Sequence, residues 1–415
     1  MRMPNARQIS EEQQDIFEDA PMTGHILISG PPGTGKTVIA FLRAKALAKK
    51  KADVTVLMFN RVLRRYTENV AHDIPGKVAS KTMHSWLPAW WKRHKILREE
   101  QTAVQSNRAM PSKTSNKSSS YRSPYGPPEI EPWFYDWNLM REQYVELEDS
   151  HVIDWGHLII DEAQDFPSKM FKFLRTAAKP MKYGGITILA DENQRLDEKN
   201  NSSLEDIRTN LNIKKEEEFR LTKNFRNTKP IAELAKYFYA GLSSGIPPEI
   251  PEKSGSLPKL MAVTEKKQQV SFICEFLTYR GDQEVAVIVD SDVDRKFYVD
   301  NLGKLLPRYI VQSYSSSDSQ NSEMLRFDQQ GVITILNRRS CKGLEFDTVF
   351  IPDLQNFSFN DDQLIVFNMN MYVMCSRARS ELFLMYVKGR SLQAPILGHL
   401  PSASSGLIEY RDYND

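Results

Sequence analysis

The sequence predicts an α/β protein built on parallel sheets. Short apolar runs recur along the chain with helix-period segments between them, and a glycine-rich loop directly follows the first run. Strands that are apolar on both faces need helices covering both sides of a sheet, joined by right-handed crossovers. In chain order the strand-like runs are His25–Ser29, Val54–Phe59, His157–Ile160, Ile186–Ala190, Glu284–Val289, Val332–Leu336, Thr348–Ile351 and Leu382–Val387. Helical periodicity marks Lys36–Lys50, Pro230–Tyr239 and Gln268–Leu277.

Two stretches break this rhythm. Residues 86–150 open with Trp86, Trp90 and Trp91 and then turn basic, with eight Lys or Arg against two acids from Trp91 to Gly126. A segment this polar, with the Ser-rich Ser112–Ser123 inside it, buries little and reads as an inserted loop. The second is a Ser-rich turn at Ser313–Ser322. At 415 residues, 40% hydrophobic and 26% charged, the chain has room for two ordinary soluble domains plus the insertion. No apolar run approaches the roughly 20 residues that span a bilayer, and Met1–Glu12 is polar, so neither a membrane nor a secreted location is expected. Cys274, Cys341 and Cys375 are widely spaced without metal-ligand patterning, which fits a reducing, cytoplasmic setting. Net charge is only +2, so any nucleic-acid surface must be a local patch.

Two motifs carry chemistry by their own spacing. Gly30-Pro31-Pro32-Gly33-Thr34-Gly35-Lys36-Thr37 joins the first strand to the first helix. Its glycines let backbone N–H groups curl around phosphates, Lys36 reaches the outer phosphates, and the Thr37 hydroxyl can ligate Mg²⁺. The loop therefore expects a nucleotide such as ATP. The run His157–Ile160 then delivers Asp161-Glu162, followed at once by Gln164-Asp165. A buried strand ending in Asp-Glu is where a nucleotide hydrolase keeps a metal ligand, here Asp161, and a base for water, here Glu162.

Taken in order, these motifs and seven others resemble the superfamily 1 DNA helicases of the UvrD/Rep type, over about residues 9–390. Ile9-Ser10-Glu11-Glu12-Gln13 resembles the adenine-reading motif, which implies an adenine contact for Gln13. Phe59-Asn60-Arg61 and Thr82-Met83-His84-Ser85-Trp86 are similar to the two motifs that hold single-stranded DNA. Ile188-Leu189-Ala190-Asp191-Glu192-Asn193-Gln194 resembles the third hydrolase motif, implying that Gln194 senses the γ-phosphate. Leu221-Thr222-Lys223-Asn224-Phe225-Arg226 resembles the family's Leu-x-x-Asn-Tyr-Arg signature, in which Arg226 points at the γ-phosphate and Phe225 stacks on adenine. Ser340-Cys341-Lys342-Gly343-Leu344-Glu345-Phe346-Asp347 implies a nucleotide contact at Glu345, with DNA contacts in the stretch before it at Arg338, Arg339 and Ser340. Val373-Met374-Cys375-Ser376-Arg377-Ala378-Arg379 is similar to the last motif and makes Arg377 a second arginine finger; Arg379 is either part of that chemistry or a surface charge.

The resemblance implies two RecA-like domains with ATP and Mg²⁺ in the cleft between them. Residues 1–85 and 151–222 would form the first domain, 86–150 an insertion, 223–395 the second domain and 396–415 a tail. It further implies an ATP-dependent translocase or helicase moving 3′ to 5′ on single-stranded or tailed DNA. The interval between Arg226 and Ser340 is too short for the large second-domain insertion of bigger relatives. For a compact form of this kind the resemblance implies action with a protein partner in many cases, such as a nuclease or a repair or defence subunit. Three departures stand out. Arg195-Leu196-Asp197-Glu198-Lys199-Asn200 lacks the aromatic that stacks a base in relatives, a contact worth about 1 to 3 kcal/mol. Met58 stands where Phe is commonest, and Asn337-Arg338-Arg339 replaces Thr-x-His with two charges suited to phosphate. An RNA-directed motor and a nucleotide-switched regulatory subunit that does not unwind therefore stay open. In the insertion, the basic run with Tyr121, Tyr125, Trp133, Phe134, Tyr135 and Trp137 is either a nucleic-acid contact or packing with a solubilising loop.

Overall fold

The computed structural model describes residues 9–413 apart from 51, 60, 73, 75–77, 94–134, 146–155, 178–183, 196–200, 243–244, 281–282, 316–318, 358–363 and 390–394. The strands are β1 (Gly24–Ser29), β2 (Val54–Met58), β3 (Val78–Thr82), β4 (His157–Ile160), β5 (Gly185–Ala190), β6 (Glu218–Arg220), β7 (Lys259–Val263), β8 (Glu284–Val289), β9 (Ile310–Tyr314), β10 (Val332–Asn337), β11 (Phe346–Ile351), β12 (Ala378–Val387) and β13 (Glu409–Asp412). They form a six-stranded sheet, β3-β2-β4-β5-β1-β6, and a seven-stranded sheet, β13-β7-β12-β11-β8-β10-β9. Every pairing is parallel. This is the α/β, two-sheet RecA-like architecture that the sequence predicts.

The central strands β4, β5 and β8 are buried along their whole length, because helices cover both faces. The helix Lys36–Lys49 starts right after the glycine-rich loop and buries Ile39, Ala40, Phe41, Ala44 and Leu47 against the first sheet. One apolar cluster runs from the first sheet (Ile28, Val56) through Leu63 to Leu344, Val349 and Ile351 of the second. The two sheets are thus joined by packed apolar surface as well as by chain connections.

The register puts the site on one edge. Ser29 of β1 lies opposite Ala190 of β5, and Ile160 of β4 opposite Ile188 of β5. The loops leaving β4, β5, β1 and β6 therefore emerge side by side at the carboxyl ends of adjacent strands, where ligands bind in open α/β sheets.

Two readings of the sequence need correction here. Residues 396–415 are more than a tail: β13 pairs in parallel with β7, Glu409 opposite Lys259, and Ile396, Leu400 and Ile408 are buried. A polar edge strand carries no apolar run to announce it. Trp86, expected at DNA, is only 5% exposed. It stacks on Trp90 at 5.7 Å, and Trp90 and Trp137 meet Phe173 of the helix Ser168–Ala177. Tyr135, Met140 and Tyr144 complete that platform. The basic run of the insertion, with Tyr121, Tyr125, Trp133 and Phe134, lies outside the described residues, as does Asn60.

Large-to-small changes at buried aromatics cost about 3–5 kcal/mol. Trp86→Ala is accordingly expected to lower the thermal unfolding midpoint clearly; a midpoint within a degree of the parent would mean that the Trp86–Trp90 stack contributes little.

Candidate active site

The loop 30–37 is built to hold its backbone open. Gly33 and Gly35 sit at φ +82° and +84°, conformations that L side chains resist. Space is equally strict: a Cβ at Gly33 would meet Asn224 Oδ1 at 2.3 Å, and one at Gly35 would meet Gln13 Nε2 at 2.2 Å. Pro31 and Pro32 lie between Gly30 and Gly33; Thr34 is fully buried and its hydroxyl donates to the Pro31 carbonyl at 2.9 Å. Gln13 closes the loop from outside, donating to the Thr34 carbonyl at 2.7 Å while its other amide atom accepts from Ser10 N in a capping box. That leaves Gln13 one N–H and one lone pair for a base.

Lys36 Nζ donates to the carbonyls of Gly30 and Pro31 at 2.6 and 3.0 Å. Burial lowers its pKa, opposed by Asp191, Glu162 and Asp161. The Thr37 hydroxyl donates to Asp161 Oδ2 at 2.7 Å, and Asp161 Oδ1 accepts from Glu162 N at 2.9 Å. That second contact comes with a left-handed Glu162 backbone, φ +51°, which turns its side chain away from the strand direction. Burial, then the adjacent Glu162, pushes the Asp161 carboxyl up to about 6. Burial acts on Glu162 too, yet Lys342, Lys36 and Arg377 outweigh it and hold that carboxyl below its ordinary value. Thr37 and Asp161 offer hard oxygen donors, and a divalent cation would relieve the cost of a buried Asp161 charge. Among the described residues no group of three or more His, Cys, Asp or Glu gathers around a metal position. A cation held by few protein oxygens, with phosphate and water completing its shell, matches the habit of Mg²⁺.

A relay of amides links these groups to the second sheet. Gln164 donates to Glu162 Oε2 at 2.6 Å and accepts from Asp191 N at 3.0 Å. Gln194 donates to Asp191 Oδ2 at 2.7 Å and accepts from Arg377 Nη2 at 3.2 Å. Arg377 is 1% exposed, and its other donors reach the carbonyls of Val373 and Leu344. Lys342, also 1% exposed, donates to Asp165 Oδ1 at 2.6 Å and to the Gln194 carbonyl. Burial still pushes Asp165 up to about 7. Arg226 Nε pairs with Glu345 Oε2 at 2.6 Å, and Phe225 N donates to the Gly33 carbonyl at 2.9 Å. The Phe225 ring is 51% exposed, an open face beside the loop.

Lys36, Thr37, Asp161, Glu162, Gln194, Arg226, Arg377 and Glu345 are thus gathered in one region. The sequence reading gave no role to Gln164, Asp165, Asp191 or Lys342. All four lie inside quoted motifs, but only their long-range partners reveal what they do. The DNA-motif residues are more dispersed. Phe59 follows β2 and meets Phe166 edge-on at 5.8 Å; Arg61 is exposed at the start of the next helix. Thr82 is buried and bonds Ser85, while His84 Nδ1 lies 3.0 Å from the Tyr135 hydroxyl. Arg338 pairs with Asp290, Arg339 is exposed, and Ser340 closes a turn onto Asn337. All lie at or just beyond the carboxyl ends of β2, β3 and β10.

Parts of the chain are similar to known proteins. A family model described as an AAA domain matches residues 13–199. A protein of Acanthamoeba polyphaga mimivirus named "Putative ATP-dependent DNA helicase" is 29% identical over 248 residues, which are 55% of this chain and 34% of the relative. The chain spans about a third of the length of that curated relative. A crystal structure described as the C-terminal domain of a possible DNA helicase from Lactobacillus plantarum WCFS1 is 20% identical, with a TM-score of 0.32, covering 45% of this chain and 98% of that one. With the two parallel sheets, the first two matches support a helicase-like P-loop family. Among the described residues no helix is long and apolar enough to cross a membrane.

Burial, then Arg61, pushes His84 down to about 4 from its ordinary 6.5. The unfolded chain thus binds more protons between those values, so this contribution to stability is complete above pH 6.5 and is lost as pH falls toward 4. His84→Gln should flatten the fall in thermal midpoint between about pH 7 and pH 5. An unchanged slope would remove His84 as its source.

Proposed function

We propose that the protein is an ATP-driven motor on single-stranded DNA, a translocase or helicase running 3′ to 5′, that couples hydrolysis to closure of its two sheets. The observation that carries this reading is the Arg377–Gln194 contact: a guanidinium from the second sheet meets an amide that is bonded to Asp191 at the end of β5. A simple nucleotide-binding domain has no use for such an arrangement.

In this reading the loop 30–37 cradles the phosphates and Lys36 leaves the Gly30 and Pro31 carbonyls for the outer ones. Thr37 and Asp161 would hold Mg²⁺, which when bound neutralises charge on the phosphate oxygens. Glu162, kept ionised by Lys342, Lys36 and Arg377, orients and deprotonates the attacking water. Arg377 and Arg226 stabilise charge developing on the transferred group, which works only when the second sheet is closed on the first. An arginine so placed contributes about 10³ to 10⁵ in rate. Gln194, bonded to both Asp191 and Arg377, is placed to report the phosphate to the second sheet. Phe59, Arg61, Thr82 and His84 on the first sheet, with Arg338, Arg339 and Ser340 on the second, would straddle the strand. Each closure would then shift one set of contacts past the other.

A second reading has a specific observation behind it. No aromatic stands at 195–200, and Trp86 is spent on packing, so neither of these two positions supplies a base stack. A nucleotide-switched subunit that binds DNA inside a repair or defence complex without unwinding fits those two facts.

Lys36→Ala and Arg377→Ala should each reduce DNA-stimulated ATP hydrolysis to background, whereas Glu162→Gln should stop turnover and retain ATP binding. Normal turnover in any of the three would end the assigned role. Strand displacement by the isolated chain on tailed duplexes separates motor from switch, and stimulation by single-stranded RNA in place of DNA would reassign the substrate.

A further inference from the structure

Arg226 is held by a carboxylate that is itself shared. Glu345 accepts Arg226 Nε on one oxygen at 2.6 Å and Arg379 Nη2 on the other at 2.9 Å. Arg379 is the anchored member. Its Nη1 reaches Glu284 Oε2 at 3.2 Å and Asp347 Oδ1 at 3.1 Å. Both of those acids are fixed by backbone: Glu284 Oε1 accepts from Asp328 N at 2.5 Å, and Asp347 Oδ2 accepts from Glu284 N at 3.1 Å. Among the described residues Arg226 has no such anchorage: beyond Glu345 its guanidinium makes one long contact there, 3.4 Å, to the Ser376 carbonyl. Its Cβ would lie 3.1 Å from a Cβ added at Gly33, so the side chain starts beside the phosphate loop.

From this geometry we propose that Glu345 is a reversible holding site for Arg226, competing with the terminal phosphate, and that Arg379 sets the strength of the hold. The proposal rests on the reading that Arg226 serves the phosphate. A carboxylate that satisfies two guanidiniums binds each less tightly than it would bind one, because the second cation already neutralises part of its charge. Arg379, immovable on Glu284 and Asp347, keeps Glu345 half-satisfied, so Arg226 can leave for an incoming anion. Without Arg379 the whole charge of Glu345 falls on Arg226. Arg379 is on this account a positioning residue that never touches nucleotide. Its position in β12, two residues beyond Arg377, gives the second sheet a say in when Arg226 is released.

The test is steady-state ATP hydrolysis by the full chain at saturating single-stranded DNA. Arg379→Gln should lower kcat by about tenfold with KM for ATP moving much less, while Arg379→Lys, which keeps the charge, stays near the parent. In the Glu345→Gln background the Arg379→Gln change should have no further effect on kcat. An equal loss in both backgrounds would mean that Arg379 merely supports the fold, and would overturn the proposal. Arg379→Met, which keeps the packed stem and removes the charge, decides the matter if Arg379→Gln does not fold: kcat is expected to fall about tenfold with KM for ATP moving much less. A kcat equal to the parent's would overturn the proposal. Arg226→Ala with unchanged kcat would instead sink the underlying reading of Arg226, an outcome distinct from the other two.

Discussion

At the carboxyl edge of the first sheet, Asp161, Glu162, Asp165 and Asp191 are all buried, and that sheet supplies Lys36 as their neighbouring cation. Buried carboxylates left uncompensated cost several kcal/mol each. The compensation comes from the other sheet, through Lys342 on Asp165 and Arg377 on Gln194. Two bodies whose charges balance only in contact have a reason to come together that apolar packing alone would not give.

The apolar contacts across the cleft are arranged so that this attraction has a lever. The helix Arg61–His72 begins immediately after the β2 end where DNA contacts are proposed. Leu63 lies under Gly343, where an added Cβ would meet it at 2.8 Å, and the Tyr66 ring meets Phe327 edge-on at 5.3 Å. Arg65 donates to the Leu325 carbonyl at 3.2 Å, and Arg64 pairs with Glu323. The helix thereby ties the β2 end of the first sheet to Glu323, Leu325, Phe327 and Gly343 of the second.

What the sequence made legible was local. The phosphate loop could be read because its geometry forces residue type: left-handed backbone and close approach leave only glycine at positions 33 and 35. The fully buried strands β4, β5 and β8 could be read because burial on both faces writes an unbroken apolar run. Edge strands escaped for the opposite reason: β3 is half-buried along most of its length, and β6 and β13 are short and polar. The Lys342–Asp165 pair was hidden because its members are far apart in sequence and each looks like an ordinary motif residue. Trp86 misled because an aromatic in a DNA motif and an aromatic in a core have the same local signature; the choice is made by Trp90, one turn on in the same helix, together with Trp137 and Phe173 from other elements.

The pairing of β13 with β7 bears on how the molecule is made. Strand β7 opens the second sheet in sequence, yet one of its two neighbours is β12 and the other is formed by residues 409–412. A chain emerging from the ribosome can assemble the whole of the first sheet, through β6, while β7 is still waiting for both of its flanking partners. Until synthesis reaches Asp412, the Leu260 and Met261 backbone groups lack half of their ladder, and nascent chains stalled upstream of that point would present a sticky, unfinished border.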